Sequence, residues 1–132
     1  MELFEILTFY GDKRNSGSDT ALADVPETYI EIGSFDTPDL PNGRYELGVS
    51  VTSTFDRTNK SEFLRWSDDG GSTWDEFSSE PQDKTDDKPH YYAYTKENYS
   101  GVKQFRLEAR KETGAGTMIV NFADCWIKRV GI

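Results

Sequence analysis

Few residues in this chain are equipped for covalent chemistry. It carries one histidine, His90, and one cysteine, Cys125. Any serine–histidine–acid arrangement must use His90, yet the strained Gly-x-Ser-x-Gly turn that presents a nucleophilic serine is absent. His90 adjoins Tyr91 and Tyr92 at the start of a β-rich run, where it reads as structural. A single thiol excludes an intramolecular disulfide and a cysteine-based zinc cage, and the apolar stretch around Cys125 predicts a buried core thiol. With 24 acidic residues, carboxylate pairs for glycoside hydrolysis are plentiful, but no spacing nominates one. The acids of residues 67–89 do not follow the calcium-loop spacing of an EF-hand and read as a solvated segment. No phosphate-cradling loop or metal-ligand cluster is visible. The sequence therefore assigns no catalytic residue, no metal and no cofactor, and predicts a protein that binds rather than catalyses.

Two groups of residues suit binding or architecture instead. The first is Ser67-Asp68-Asp69-Gly70-Gly71-Ser72-Thr73-Trp74, which fits S-x-D-x-G-x-T-W at every fixed position. In such a turn Asp69 is placed to accept hydrogen bonds from backbone amides, Gly70 and Gly71 allow positive φ, and Trp74 can lie across the hairpin. The motif resembles the Asp-box of sialidases and other β proteins. That resemblance implies a structural turn formed by Ser67, Asp69, Gly71, Thr73 and Trp74, remote from any catalytic centre. A sialidase would repeat the box around a propeller, and this chain has it once. The second group is aromatic: Tyr91, Tyr92, Tyr94 and Tyr99, with Trp66 and Trp74 nearby in sequence. Sugars stack on such rings, so the four tyrosines are a candidate binding surface. Alternation along a strand sends Tyr91 and Tyr92 to opposite faces, so only part of the set can form one platform.

The elements that must carry these groups are strands. Tyr45, Leu47, Val49 and Val51 alternate with Glu46, Ser50 and Thr52, the pattern of a half-buried strand. Phe105, Leu107 and Ala109 repeat it against Arg106, Glu108 and Arg110, and Met118, Val120 and Phe122 are expected to share one face. Shorter β-rich runs cover residues 3–10, 28–35, 61–66, 73–77, 90–96 and 125–130. The best helical candidate is a single turn at 18–24. Turn signals separate the runs at 38–43, 56–60, 68–72 and 112–116. Residues 11–19 and 78–89 are polar enough to be loops. About eight strands with turns between them predict an all-β antiparallel sandwich.

Composition agrees with that architecture. The 132 residues are only 35% hydrophobic but include 8 Phe, 7 Tyr and 3 Trp, too aromatic for a disordered chain and too polar for a membrane span. Their length fits one β-sandwich domain, with residues 1–27 supplying an N-terminal strand and loop available for assembly. The opening Met1-Glu2-Leu3-Phe4-Glu5 carries no basic, apolar leader, which predicts synthesis and assembly in a cytoplasm. Fifteen basic against 24 acidic residues give −9, which argues against a phosphate-tracking surface and hence against nucleic acid. The charge is uneven. Residues 67–89 hold eight acids and two bases, whereas residues 96–132 hold seven bases and four acids.

The strand order and spacing carry a wider resemblance. Thr28-Tyr29-Ile30-Glu31-Ile32-Gly33-Ser34-Phe35, a Pro/Gly turn and Gly43-Arg44-Tyr45-Glu46-Leu47 resemble the opening of a jelly-roll domain of the C1q or tumour-necrosis-factor type. The strand at 105–111, the Gly-rich turn, and the closing Asp124-Cys125-Trp126-Ile127-Lys128-Arg129-Val130 resemble the last strands of small jelly-roll proteins in tailed-phage virions. The resemblance implies a structural component of the virion, such as a capsid decoration protein or a fibre or appendage domain. It implies assembly with other virion proteins as a homo-oligomer, a trimer being favoured. The competing reading is a carbohydrate-binding module for host-surface glycans.

Overall fold

A computed structural model describes residues 9–21, 28–55, 60–78, 81–82, 89–111 and 118–131. Among them the regular elements are all strands: β1 (Phe9–Ala21), β2 (Ile30–Asp36), β3 (Leu40–Phe55), β4 (Lys60–Ser67), β5 (Asp75–Ser78), β6 (Pro81–Gln82), β7 (Pro89–Gly101), β8 (Gln104–Lys111) and β9 (Met118–Gly131). They form two sheets, ordered β1-β9-β3-β7 and β2-β8-β4-β5, and β6 continues the outer edge of β4 beyond β5. Every pairing between strands is antiparallel. The chain crosses between the sheets after β1, β2 and β3 and again before β7, β8 and β9, and the first and last strands lie side by side. That is the jelly-roll order of a β-sandwich.

Period-two burial explains how so few apolar residues suffice. In β3, Tyr45, Leu47, Val49 and Val51 are at most 1% exposed, while Glu46 and Ser50 between them are half-buried. In β8 Phe105, Leu107 and Ala109 point inward, and in β9 Ala123, Cys125 and Ile127 do so. These side chains meet Ile32, Leu40, Leu64, Trp66 and Tyr99 in one core. A row of rings runs through it: Phe35 on Phe105 at 5.1 Å, Phe105 on Trp66 at 5.8 Å, and Trp66 against Tyr94 at 6.1 Å. The row starts between the sheets and ends at the edge formed by β5 and β7.

Four local expectations need correction. Residues 18–21, assigned to a helical turn, are strand: Thr20 and Ala21 pair with Val120 and Ile119, and the rest of that turn lies outside the described residues. The polar segment 11–19, expected as a loop, belongs to β1, because β9 offers a continuous partner and Asn15 to Thr20 absorbs a register shift. The strands expected around 118–122 and 125–130 are one, β9. Phe122 is not on the face of Val120. Val120 is buried and Phe122 is 41% exposed, because β9 gains one residue against β3, whose Thr52 and Ser53 pair with Phe122 and Val120. The intervening Asn121 accepts a 2.7 Å hydrogen bond from Thr54 Oγ1 on the same stretch of β3. Residues 3–8 of the first expected strand and most of the 78–89 loop lie outside the described residues, apart from β6.

Candidate functional site

The turn between β4 and β5 is built from side-chain oxygen. Ser67, at the end of β4, is buried; its hydroxyl donates to Asp69 Oδ1 at 2.6 Å and accepts from the amide of Gly71 at 2.9 Å. Asp69 Oδ1 in turn accepts from the amides of Ser72 at 3.0 Å and Thr73 at 2.9 Å, and Oδ2 accepts from the Thr73 hydroxyl. So many donors hold the Asp69 carboxyl well below the usual carboxylate range, the Ser67 and Thr73 hydroxyls contributing most. Gly70 adopts a φ of 75° and Gly71 one of 100°, both in the region that side chains avoid. A Cβ on Gly70 would also stand 2.6 Å from Gln104 Oε1.

This turn is tied down on two sides. The Gly70 amide donates to the carbonyl of Gln104, and the Gln104 amide donates to the carbonyl of Asp68, each at 3.0 Å. Tyr99 Oη donates to Asp68 Oδ2 at 2.6 Å. On the outer face of the sheet, the Arg65 guanidinium lies 4.1 Å from the Trp74 ring and 4.0 Å from the Tyr29 ring. Its Nε and Nη2 donate to Glu108 Oε1 at 2.8 and 2.6 Å. A stacked, partly shielded arginine of this kind fixes ring and turn together. The consequence is positional: β5 is held at the edge of its sheet, with Asp75 opposite Trp66 and Glu76 opposite Arg65.

The four candidate tyrosines do not form one surface. Tyr99 is only 7% exposed; it packs on Tyr45 at 5.6 Å, and burial together with the Asp68 carboxylate pushes its phenol well above the usual range. It leaves the binding set and joins the core. Tyr92 is partly buried against the core. Tyr91 is 59% exposed on the outer face of the other sheet, where its ring meets Trp126 at 5.5 Å. The Trp126 indole lies over Gly48, where a Cβ would come within 2.3 Å of it, and its Nε1 donates to Glu46 Oε1 at 3.0 Å. Tyr94 shares the inward side of β7 with Tyr92 and stands at the opening between the sheets.

At that opening lies a cavity of about 360 Å³, lined by Trp66, Asp75, Glu76, Tyr94, Thr95 and Lys96. Lys96 Nζ sits 5.3 Å from the Trp66 ring centroid, and Tyr94 Oη reaches the Glu76 carbonyl at 3.4 Å. Lys96, Asp75 and Glu76 were not singled out by sequence reasoning. Asp75 and Glu76 disappear into an acidic segment, and only the β4–β5 register shows that Asp75 stands opposite a buried tryptophan.

A second polar cluster was also missed. Glu62 is 3% exposed, and its Oε2 accepts from Ser53 Oγ at 2.7 Å, which joins β4 of one sheet to β3 of the other. Buried Lys111 is its register partner on β8. Burial pushes the Glu62 carboxyl up to about 7, against the lowering effect of the Ser53 bond. The signal was the phase of β4, since Leu64 and Trp66 point inward and carry Glu62 with them. Among the described residues, no three His, Cys, Asp or Glu side chains are grouped to hold a metal ion.

No family model matches the chain, and no curated protein sequence matches it. Solved structures do match, and they define the class of fold as the jelly roll seen in viral shell proteins. The VP2 subviral particle of infectious bursal disease virus superposes with a TM-score of 0.70 at 9% identity, covering 93% of this chain and 33% of that one. The structure of the Gx strain of the same virus gives a TM-score of 0.69 at 7% identity, with 92% and 33% coverage. The chain thus spans about a third of the length of these viral proteins.

Proposed function

We propose that the chain is a structural, non-enzymatic component of a virus particle, acting through protein–protein assembly. The observation that carries this reading is the jelly-roll likeness to viral shell proteins, which extends over nearly all of the chain. In the finer form, the particle is a tailed phage and the chain a capsid decoration protein or a fibre or appendage domain, assembled in the host cytoplasm as a homo-oligomer, with a trimer favoured. The exposed Tyr91 and Phe122 on the outer face of the β1-β9-β3-β7 sheet supply apolar contact area for such packing. The uneven charge supports a fixed orientation, since residues 96–132 carry a small positive excess and residues 67–89 a large negative one.

Light scattering on the purified chain and mass spectrometry of purified particles test the reading together. Recovery of the chain at a fixed copy number in particles, and an oligomer in solution, are expected. A chain that stays monomeric and never sediments with particles would overturn it.

A further inference from the structure

We propose that the cavity between β5 and β7 is a binding site for a neutral, hydroxyl-rich ligand of the size of one or two sugar rings. The site goes beyond the assembly reading and does not depend on it.

The cavity has the size and make-up of such a site. Its volume of about 360 Å³ lies within the ~300–1,000 Å³ common for small-molecule sites. Its floor is Trp66, 3% exposed and stacked on Phe105, and its wall is Tyr94, the last ring of the row and 42% exposed. The exposed face of Tyr94 is the one that can accept the C–H side of a sugar ring. Around them stand groups that exchange hydrogen bonds with hydroxyls: the Asp75 carboxylate as acceptor and the Lys96 ammonium as donor. Lys96 is held over the indole, so its charge is directed into the cavity rather than away from it.

Electrostatics select the class of ligand. Asp75 and Glu76 are both exposed, and among the described lining residues they outnumber the one base, Lys96. An acidic sugar or a phosphate entering there meets a net negative field, whereas a neutral ring does not. A purely apolar ligand would strand the Asp75 and Lys96 charges without water. The turn at 67–74 gains a role in this arrangement, because it fixes the start of β5 and with it the position of Asp75.

The test is ligand-observed NMR on the full chain with N-acetylglucosamine, methyl β-galactoside and methyl α-mannoside, and with N-acetylneuraminic acid as the charged control. At least one neutral sugar is expected to bind with a dissociation constant on the order of 1 mM, as a small, partly open site permits. Tyr94→Ala and the conservative Asp75→Asn should each weaken that binding about tenfold or more. Tyr91→Ala, on the opposite side of its strand, should leave it unchanged. The proposal fails if no neutral sugar binds, if the acidic sugar binds as well as the neutral ones, or if Tyr91→Ala weakens binding while Tyr94→Ala and Asp75→Asn do not. Light scattering of the same samples reports the oligomeric state separately, so loss of this site and loss of the assembly reading are read from different signals.

Discussion

Ser67 with Asp69 and Ser53 with Glu62 are the same chemical pair in two settings. In each, a serine hydroxyl donates to a carboxylate, at 2.6 Å in the turn and at 2.7 Å between the sheets. Their protonation moves in opposite directions. Asp69 is open to solvent and accepts from two hydroxyls and two backbone amides, so its charged form is favoured. Glu62 is enclosed, and the single Ser53 bond does not offset the loss of water. The number of donors and the access of solvent, and not the Ser–acid bond itself, decide the sign. The turn therefore keeps a fixed charge over the ordinary pH range, while the sheet-to-sheet contact titrates within it.

That contrast can be broken most strongly at Glu62. A folded-state value of about 7, above the unfolded value of about 4.5, means that the native chain holds this proton more tightly than the unfolded one. The associated stability is fully present below pH 4.5 and is lost as pH rises through 7. Glu62→Gln should flatten this slope and make the variant more stable than the parent at pH 8, by up to about 3 kcal/mol in urea denaturation. A parental slope that survives in Glu62→Gln would remove the assignment.

Next in size is Ser67→Ala, which leaves the Gly71 amide and Asp69 without their buried partner. It should lower stability by about 2 kcal/mol at every pH, read from the same denaturation curves. Tyr99→Phe removes only the bond to Asp68 and should cost about 1 kcal/mol. The smallest effect on pH dependence is expected for Asp69→Asn. It should lower the melting temperature by weakening the turn, yet leave the slope between pH 5 and 8 as in the parent, since Asp69 titrates far below that window. A changed slope in Asp69→Asn would show that the two carboxylates are coupled.

The sandwich was legible because β3 and β8 alternate without interruption, and side-chain period alone fixes which face each residue takes. Legibility failed where pairing overrides local pattern. Nothing in residues 118–122 marks Asn121 as the extra residue that turns Phe122 outward; the bulge is a property of β9 against β3. The polar segment 11–19 has little strand propensity of its own and is extended because β9 lies beside it. The Asp69 turn was visible from its eight residues, since the bonds that Ser67 and Asp69 make to shape it are local. The cavity was not, because it joins β4, β5 and β7 and depends on the register that sets Asp75 opposite Trp66. Glu62 could be placed inward from the phase of Leu64 and Trp66, but its Ser53 partner lies in the other sheet.

Cys125 gives this fold a built-in clock. The only thiol in the chain sits in the middle of β9, 1% exposed, with β1 paired on one side and β3 on the other. A thiol reagent reaches it only when that sheet opens. The labelling rate in native buffer therefore counts sheet openings per unit time, and comparison of the free chain with the assembled particle measures how far packing suppresses them.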